Sequence, residues 1–451
     1  MLFSSLLFIA RFLPFVILAV YLFPTQYRNA ILLVASLVFY AWGDVRFIVL
    51  MISSILVDYS MALGIEKNRA YPRRMKWFLV GSMVFNIGIL VVFKYFGFLQ
   101  QMGSLFLPLK GPFIDIMLPL GISFYTFQTM SYTLDVYRGK IQAERNIIDF
   151  GAYVSLFPQL IAGPIIQYKS IAHELKTPEI HIQRLKHGFQ WFILGLASKV
   201  LIANEMGALW EGIKDQQVLS MPLAWLGIFS FGFQIYFDFL GYSMMAIGLG
   251  MMVGFTFMKN FDFPYISGSF TEFFKRWHIS LGMWFREYVY VPLGGNRTKL
   301  IRNLLIVWLI TGLWHGANWN FLLWGLYFFM LISIEKTWTL PWLKKHPIVS
   351  RIYVIFMVSI GWVIFHFENF TDMSQFMSYL FQFRLDKDVF YFLSNYGVVL
   401  GFAAVLSTPI LSKVFTRLPK FSQSLIYATL FILSIAYLVD STYNPFLYFR
   451  F

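Results

Sequence analysis

The sequence predicts an all-α polytopic membrane protein, a helical bundle of about ten to twelve crossings with re-entrant segments. Composition is the first reason. Of 451 residues, 58% are hydrophobic and only 13% charged, against about 45–50% and about 25% in soluble proteins. That leaves too little polar surface to coat a soluble globule, and it excludes a soluble enzyme, a disordered chain and a collagen-like one. The second reason is pattern. A transmembrane β-barrel needs segments of alternating polarity about 10 residues long, whereas here the apolar stretches are unbroken. Helices satisfy their own backbone hydrogen bonds in lipid, so they are the spanning units.

A crossing needs roughly 20 apolar residues, and the distances between charges mark the spans in order. The N-terminus, MLFSSLLFIARFLPF, lacks a basic n-region and a small-residue cleavage site, so a retained first span is expected. Candidate spans are Phe12–Tyr27, Asn29–Gly43, Phe47–Ile65, Trp77–Phe93 and Ile116–Tyr137. Arg28 and the Asp44/Arg46 pair link the first three. Phe150–Tyr168, Phe189–Met206, Gln216–Phe237, Phe239–Met258, the long uncharged run Asn303–Ile334, Tyr353–Phe367, Val389–Ser412 and Phe421–Val439 follow.

Basic residues favour the cytoplasmic side. The loop Glu66–Lys76 carries Lys67, Arg69, Arg73, Arg74 and Lys76 and is expected inside, which places the N-terminus outside. Phe150–Tyr168 is then flanked by two basic loops, so a full crossing would put one of them on the wrong face. Its FPQLIAGP stretch has Pro158 and Pro164, which remove backbone donors, and Gly163, which permits unusual backbone angles. A broken, re-entrant segment resolves the conflict, and such backbone is tolerated only against protein or water. Asn303–Ile334 poses the same conflict; it forms a hairpin, or one crossing beside a re-entrant piece, with its middle buried either way.

Lys plus Arg is 36 against 22 acids, a net charge of +14. In short loops between apolar runs this excess reports orientation rather than nucleic-acid binding. The absence of cysteine excludes disulfides, thiolate metal sites and an acyl-cysteine intermediate, so chemistry must use oxygen or nitrogen groups. No metal site is expected.

Five of seven histidines fall in or beside loops or at a span end. His315 does not: it sits in TGLWHGANWNFLLWG, inside the longest uncharged run, with Gly312, Gly316, Ala317, Asn318 and Asn320 around it. The small residues allow a backbone or a slender substrate to approach; the alternative is a structural histidine bonded to another helix. His278 lies in FTEFFKRWHISLGMWFREYVYVPLGGNR, where Lys275, Arg276, Arg286 and Glu287 interleave with aromatic residues and Arg297 ends the stretch. By pattern alone this is an interfacial anchor. Gln234, Asp238 and Tyr242 share one helical face, which reads either as a cavity lining or as contact between helices.

These motifs resemble those of the membrane-bound O-acyltransferases, in particular the bacterial branch that O-acetylates alginate and peptidoglycan. The similarity rests on RWHISLGMWFREYVYVPLGGNR and GLWHGANWNFLLWGLY, supported by LPLGISFYTFQTMSYTLDVYRG, FPQLIAGPI, FQIYFDFLGYSMMAIGLG, NFDFPYIS and the C-terminal FLYFRF, in the expected order. The teichoic-acid D-alanylation branch shares the architecture, but GLWHGANWNFLLWG and PLGGNR look closer to the acetylation branch.

The resemblance implies a single integral membrane domain over residues 1–451 with a central tunnel: N-terminal spans in 1–115, a catalytic core with re-entrant segments in 116–335, and C-terminal spans in 336–451. It implies transfer of an acetyl group from acetyl-CoA or another acyl thioester across a bacterial inner membrane, with no bound cofactor. A periplasmic SGNH-type transferase would complete O-acetylation of a polysaccharide or peptidoglycan. His315 is implied as the catalytic histidine and His278 as a second important polar residue of the site. Beside them, Asn318, Arg276, Arg286, Arg297, Gln234, Asp238 and Tyr242 are candidates for binding substrate or donor. D-alanyl transfer, a transporter and a non-catalytic scaffold for polysaccharide export are the competing readings.

Overall fold

A computed structural model describes residues 2–106, 116–160, 163–384, 386–440 and 443–445. Ile161 and Ala162 of FPQLIAGP, the FLYFRF motif and much of the expected outer loop Gln100–Asp115 lie outside the described residues. Among the described residues the regular structure is entirely helical. Among the described residues, eight helices are long and apolar enough to cross a membrane, and three shorter apolar helices accompany them.

The elements that matter below are α1 (Phe8–Leu22), α2 (Arg28–Ala41), α3 (Ile48–Lys67), α4 (Pro72–Ser104), α5 (Ile122–Tyr137), α6 (Ile147–Ser155), α7 (Tyr168–Lys176), α8 (Ile182–Lys214) and α9 (Met221–Met252). After them come α10 (Phe270–Arg276), α11 (Ile279–Phe285), α12 (Leu300–His315), α13 (Trp319–Lys345), α14 (Pro347–His366), α15 (Asp388–Leu406) and α16 (Lys420–Asp440). The chain forms two compact units, one of Met1–Phe192 with Met245–Met258, the other of Ile193–Met244 with Lys259–Phe451.

In the first unit, polar groups within the helices find one another. Asp58 on α3 accepts from Ser82 Oγ at 2.5 Å and from Asn86 Nδ2 at 2.9 and 3.0 Å, both on α4, while Thr129 on α5 donates to Asn86 Oδ1 at 2.9 Å. All four side chains are buried. An isolated polar group in this setting would cost several kcal/mol, so the cluster fixes the mutual register of three helices. Arg28 is fully buried, not the loop residue that the spacing of spans had suggested. Its guanidinium donates to Asn29 Oδ1 at 2.8 and 3.0 Å and to the carbonyls of Glu174 at 2.7 Å and Val253 at 3.4 Å, and it lies 4.5 Å from the Phe255 ring centre.

The expected break in Phe150–Tyr168 is present. Helix α6 stops at Ser155, a single turn covers Phe157–Leu160, and Gln167, in an extended conformation, leads into α7. Gln159 donates to Tyr153 O at 2.8 Å, and a Cβ on Gly163 would stand 2.5 Å from Gln159 Cα, so only glycine lets the chain fold back this closely. Beyond the break, Lys176 joins Asp149 at 2.6 Å and Glu144 at 2.8 Å, and Tyr168 donates to Glu144. Burial would raise the Glu144 carboxyl, but Lys176 and Tyr168 outweigh it and hold the group below its ordinary value.

In the second unit, the two spans expected on either side of Asp238 are portions of one continuous helix, α9. An intramembrane carboxylate is tolerated when it is paired. Here Asp238 meets Lys199 Nζ at 2.9 Å, with only 2% and 1% of the two side chains exposed. Lys199 reaches it from Ser198–Ala203, a stretch of π-helix within α8. It also donates to Asn204 Oδ1 at 2.7 Å and to the carbonyl of Pro445.

Asn303–Ile334 folds as a helical hairpin, α12 and the start of α13. A Cβ on Gly312 would lie 2.3 Å from Phe321 O, and one on Gly325 would lie 2.5 Å from Trp308 O. The glycines therefore serve the approach of the two helix backbones, the small-residue packing of membrane helices.

Candidate active site

His315 is the last residue of α12, at the corner of the hairpin, and it is 7% exposed. Gly316 turns the chain out of the helix, and Asn318 starts α13 by accepting from Trp319 N at 2.6 Å. The imidazole is walled by aromatic rings, with Trp324 at 5.1 Å and Phe365 at 5.3 Å, both nearly perpendicular to it. Phe365 is set in place from α13: Asn320 Nδ2 donates to the carbonyl of Phe365 at 3.0 Å.

His278 is 3% exposed and occupies the joint between α10 and α11. Its φ of +45° is left-handed, a conformation that costs a non-glycine residue roughly 1–3 kcal/mol and persists only when its surroundings impose it. Asn260 imposes it. Its backbone carbonyl accepts from Ile279 N at 2.9 Å, and its side-chain Oδ1 accepts from Ser280 N at 3.1 Å and Ser280 Oγ at 2.9 Å. The same Oδ1 lies 3.1 Å from His278 Nδ1. On its other sides the ring meets Phe239 of α9 at 4.7 Å and Trp314 at 5.7 Å.

Trp314 brings the two motifs together. Its indole packs edge-to-face against His278 at 5.7 Å and against His315 at 5.0 Å. Two imidazoles far apart in sequence thus share one buried, aromatic setting, in which dielectric screening is weak and bulk water is scarce. That setting suits proton transfer at a carbonyl that must not hydrolyse.

The remaining candidates have varied surroundings. Arg276 pairs with Glu272 at 3.0 Å and Asp262 at 3.1 Å. Arg286 and Arg297 are exposed. Asn318 caps α13 and reaches Glu368 at 3.5 Å. Asp238 faces Lys199, Gln234 borders Gly207 of α8, and Tyr242 is buried. The helical stripe is real, and its Asp238 finds a cation. Among the described residues no cluster of side chains is arranged to hold a metal ion.

Three residues near these motifs carry roles that the sequence reading did not assign. Asn260, the first residue of NFDFPYIS, holds the His278 turn. Glu335, 1% exposed, accepts from Phe270 N at 2.5 Å and Thr271 N at 3.1 Å. It thereby satisfies the first free donors of α10, the helix that leads to His278. Lys199 was a signal in plain view, a lone lysine within an apolar stretch, and such residues are rarely there without a partner.

The model of the membrane-bound O-acyltransferase family matches residues 141–382, and the chain belongs to that family. It is therefore a multi-pass membrane acyltransferase, acting with an acyl donor. It is 40% identical to a "Probable alginate O-acetylase" of Azotobacter vinelandii over 377 residues, 82% of this chain and 76% of the relative. It is 32% identical to a peptidoglycan O-acetyltransferase of Helicobacter pylori over 409 residues, covering 82% and 77%. A teichoic acid D-alanyltransferase of Lacticaseibacillus rhamnosus is 27% identical over 311 residues, covering 59% and 76%.

Proposed function

We propose that this enzyme moves acetyl groups from a cytoplasmic thioester, acetyl-CoA in the simplest case, to the outer side of a bacterial inner membrane for O-acetylation of an exported polysaccharide or peptidoglycan. The convergence of His278 and His315 on the indole of Trp314 is the observation that carries this reading. His315 takes the proton of the attacking hydroxyl, a contribution worth roughly 10²–10⁴-fold, and His278 orients the reacting groups. The hydroxyl oxygen bonds to the thioester carbonyl carbon, the C–S bond breaks, and the thiolate leaves with the proton returned from the imidazole. The exposed Arg286 and Arg297 attract the anionic donor. A periplasmic transferase of the SGNH type receives the acetyl group, and the N-terminus faces outward.

The names of the alginate and peptidoglycan O-acetyltransferases support the acetyl reading, at higher identity and coverage of this chain than the D-alanyl relative. The test is a strain whose sole copy carries His315→Ala. The variant protein should accumulate in the membrane fraction at the wild-type level while alkali-releasable acetate vanishes from the envelope. Unchanged acetate would reject the role of His315, and loss of ester-linked D-alanine instead would move the enzyme to the other acyl group.

A further inference from the structure

The turn that carries His278 also decides which of its nitrogens holds the proton. The side-chain amide of Asn260 can be oriented in two ways, and its neighbours select one. Ser280 N is a backbone donor 3.1 Å from the amide, and only the amide oxygen can receive it; the flipped orientation would set two donors against each other. Ser280 Oγ, at 2.9 Å, adds a second hydrogen bond to the same oxygen. With the oxygen so placed, His278 Nδ1 stands 3.1 Å from an acceptor and must itself be the donor. Asn260 Nδ2 makes no hydrogen bond among the described residues, so the amide holds the turn through its oxygen.

We propose that Asn260 is a positioning residue that locks neutral His278 as the Nδ1–H tautomer and leaves Nε2 as its acceptor nitrogen. This rests on the reading that His278 serves acyl transfer. It narrows what the ring can do there: at Nε2 it receives a hydrogen bond from an acceptor hydroxyl or from the other imidazole, and it does not donate one to the thioester carbonyl oxygen. Both halves of the arrangement come from one side chain, because the oxygen that fixes the tautomer also holds the left-handed turn. His315 on α12 is a titratable group facing His278, while Phe239 from α9, Trp314 and Asn260 bring no charge.

The direct test is nitrogen NMR of the full-length protein labelled with 15N-histidine in nanodiscs, with the His278 signals assigned by their disappearance in His278→Gln. Wild type should show a protonated, pyrrole-like Nδ1 and a pyridine-like Nε2. A protonated Nε2 in the neutral ring overturns the proposal whatever the enzyme transfers. Removing the tether with Asn260→Leu should scramble the tautomer and lower kcat/KM about 10–100-fold, the range seen when the outer partner of a metal-bound histidine is removed. Asn260→Asp keeps the acceptor and should keep the tautomer. Its carboxylate favours the imidazolium, so the acid limb of the pH–rate profile should move to higher pH. An Asn260→Leu protein with wild-type tautomer and turnover would also refute the lock. If instead the tautomer is as stated but His315→Ala leaves envelope acetate intact, the acyl-transfer role falls and the lock stands.

Discussion

The polar clusters of Arg28 and of His278 are both buried, yet they are built on opposite rules. Around Arg28 and its neighbours the molecule places charge against charge: Asn29 links the guanidinium to Asp149 at 2.7 Å, and Lys176 ties Asp149 to Glu144. Around His278 and His315 the neighbours are indoles, phenyl rings and one neutral amide. The first arrangement locks a loop and a broken helix to α2. In the second, these rings and the amide carry no charge of their own. Complementary charge ties remote segments together around Arg28, and aromatic packing surrounds the two histidines proposed to react.

Removing Arg28 should expose that contrast most strongly. Arg28→Met leaves two backbone carbonyls and Asn29 without their buried donor, a loss of about 3–5 kcal/mol by analogy with broken buried pairs. Thermal unfolding in detergent should register it, while turnover per folded molecule stays near wild type. A proportional fall in turnover per folded molecule would erase the distinction between the two clusters. Glu335→Gln probes the reactive side. It keeps one acceptor for α10 but removes the charge that complements the helix N-terminus, and about 1–2 kcal/mol of stability should go with it. Because α10 leads into the His278 turn, kcat should drop as well, and a change in melting temperature alone would show the cap to be only structural.

The smallest effect concerns pH. Glu144 titrates below its ordinary 4.5 in the folded protein, so its contribution is present above that value and fades as the pH falls through the lowered folded one. Lys176 has burial working against its charge, but Asp149 and Glu144 prevail and raise it above 10.5. Its contribution is present below that value and fades as the pH rises past the raised one. Melting temperature should therefore be level between these limits and fall outside them, and Glu144→Gln should flatten the acid shoulder.

Much of this was readable beforehand, and the exceptions share a cause. Hydropathy located the helices, two prolines and a glycine located the break before α7, and charge distribution narrowed Asn303–Ile334 to two arrangements, of which the hairpin is the one found. His315 stood out because an imidazole is costly in an apolar run, whereas His278, in a charge-rich stretch, stood out only through the family resemblance. The failures were failures of partnership. Arg28 looked like a linker because its acceptors Glu174 and Val253 come from remote segments. Asp238 looked like the end of a span because Lys199 is not near it in sequence. Arg276 likewise has partners, Asp262 and Glu272, that nothing in RWHIS indicates. Periodicity tells which face a residue occupies, and only the folded chain tells what stands opposite.

The left-handed backbone at position 278 also limits how this enzyme can be altered. Valine, isoleucine and threonine are barred there by their branched Cβ, whereas asparagine, aspartate and glycine can adopt the angle at modest cost. The main chain therefore screens replacements before any question of reactivity arises, and a randomised library at this codon would be narrowed first by sterics. Placing a different side chain at this spot means working within that short menu, or rebuilding the Asn260 turn along with it.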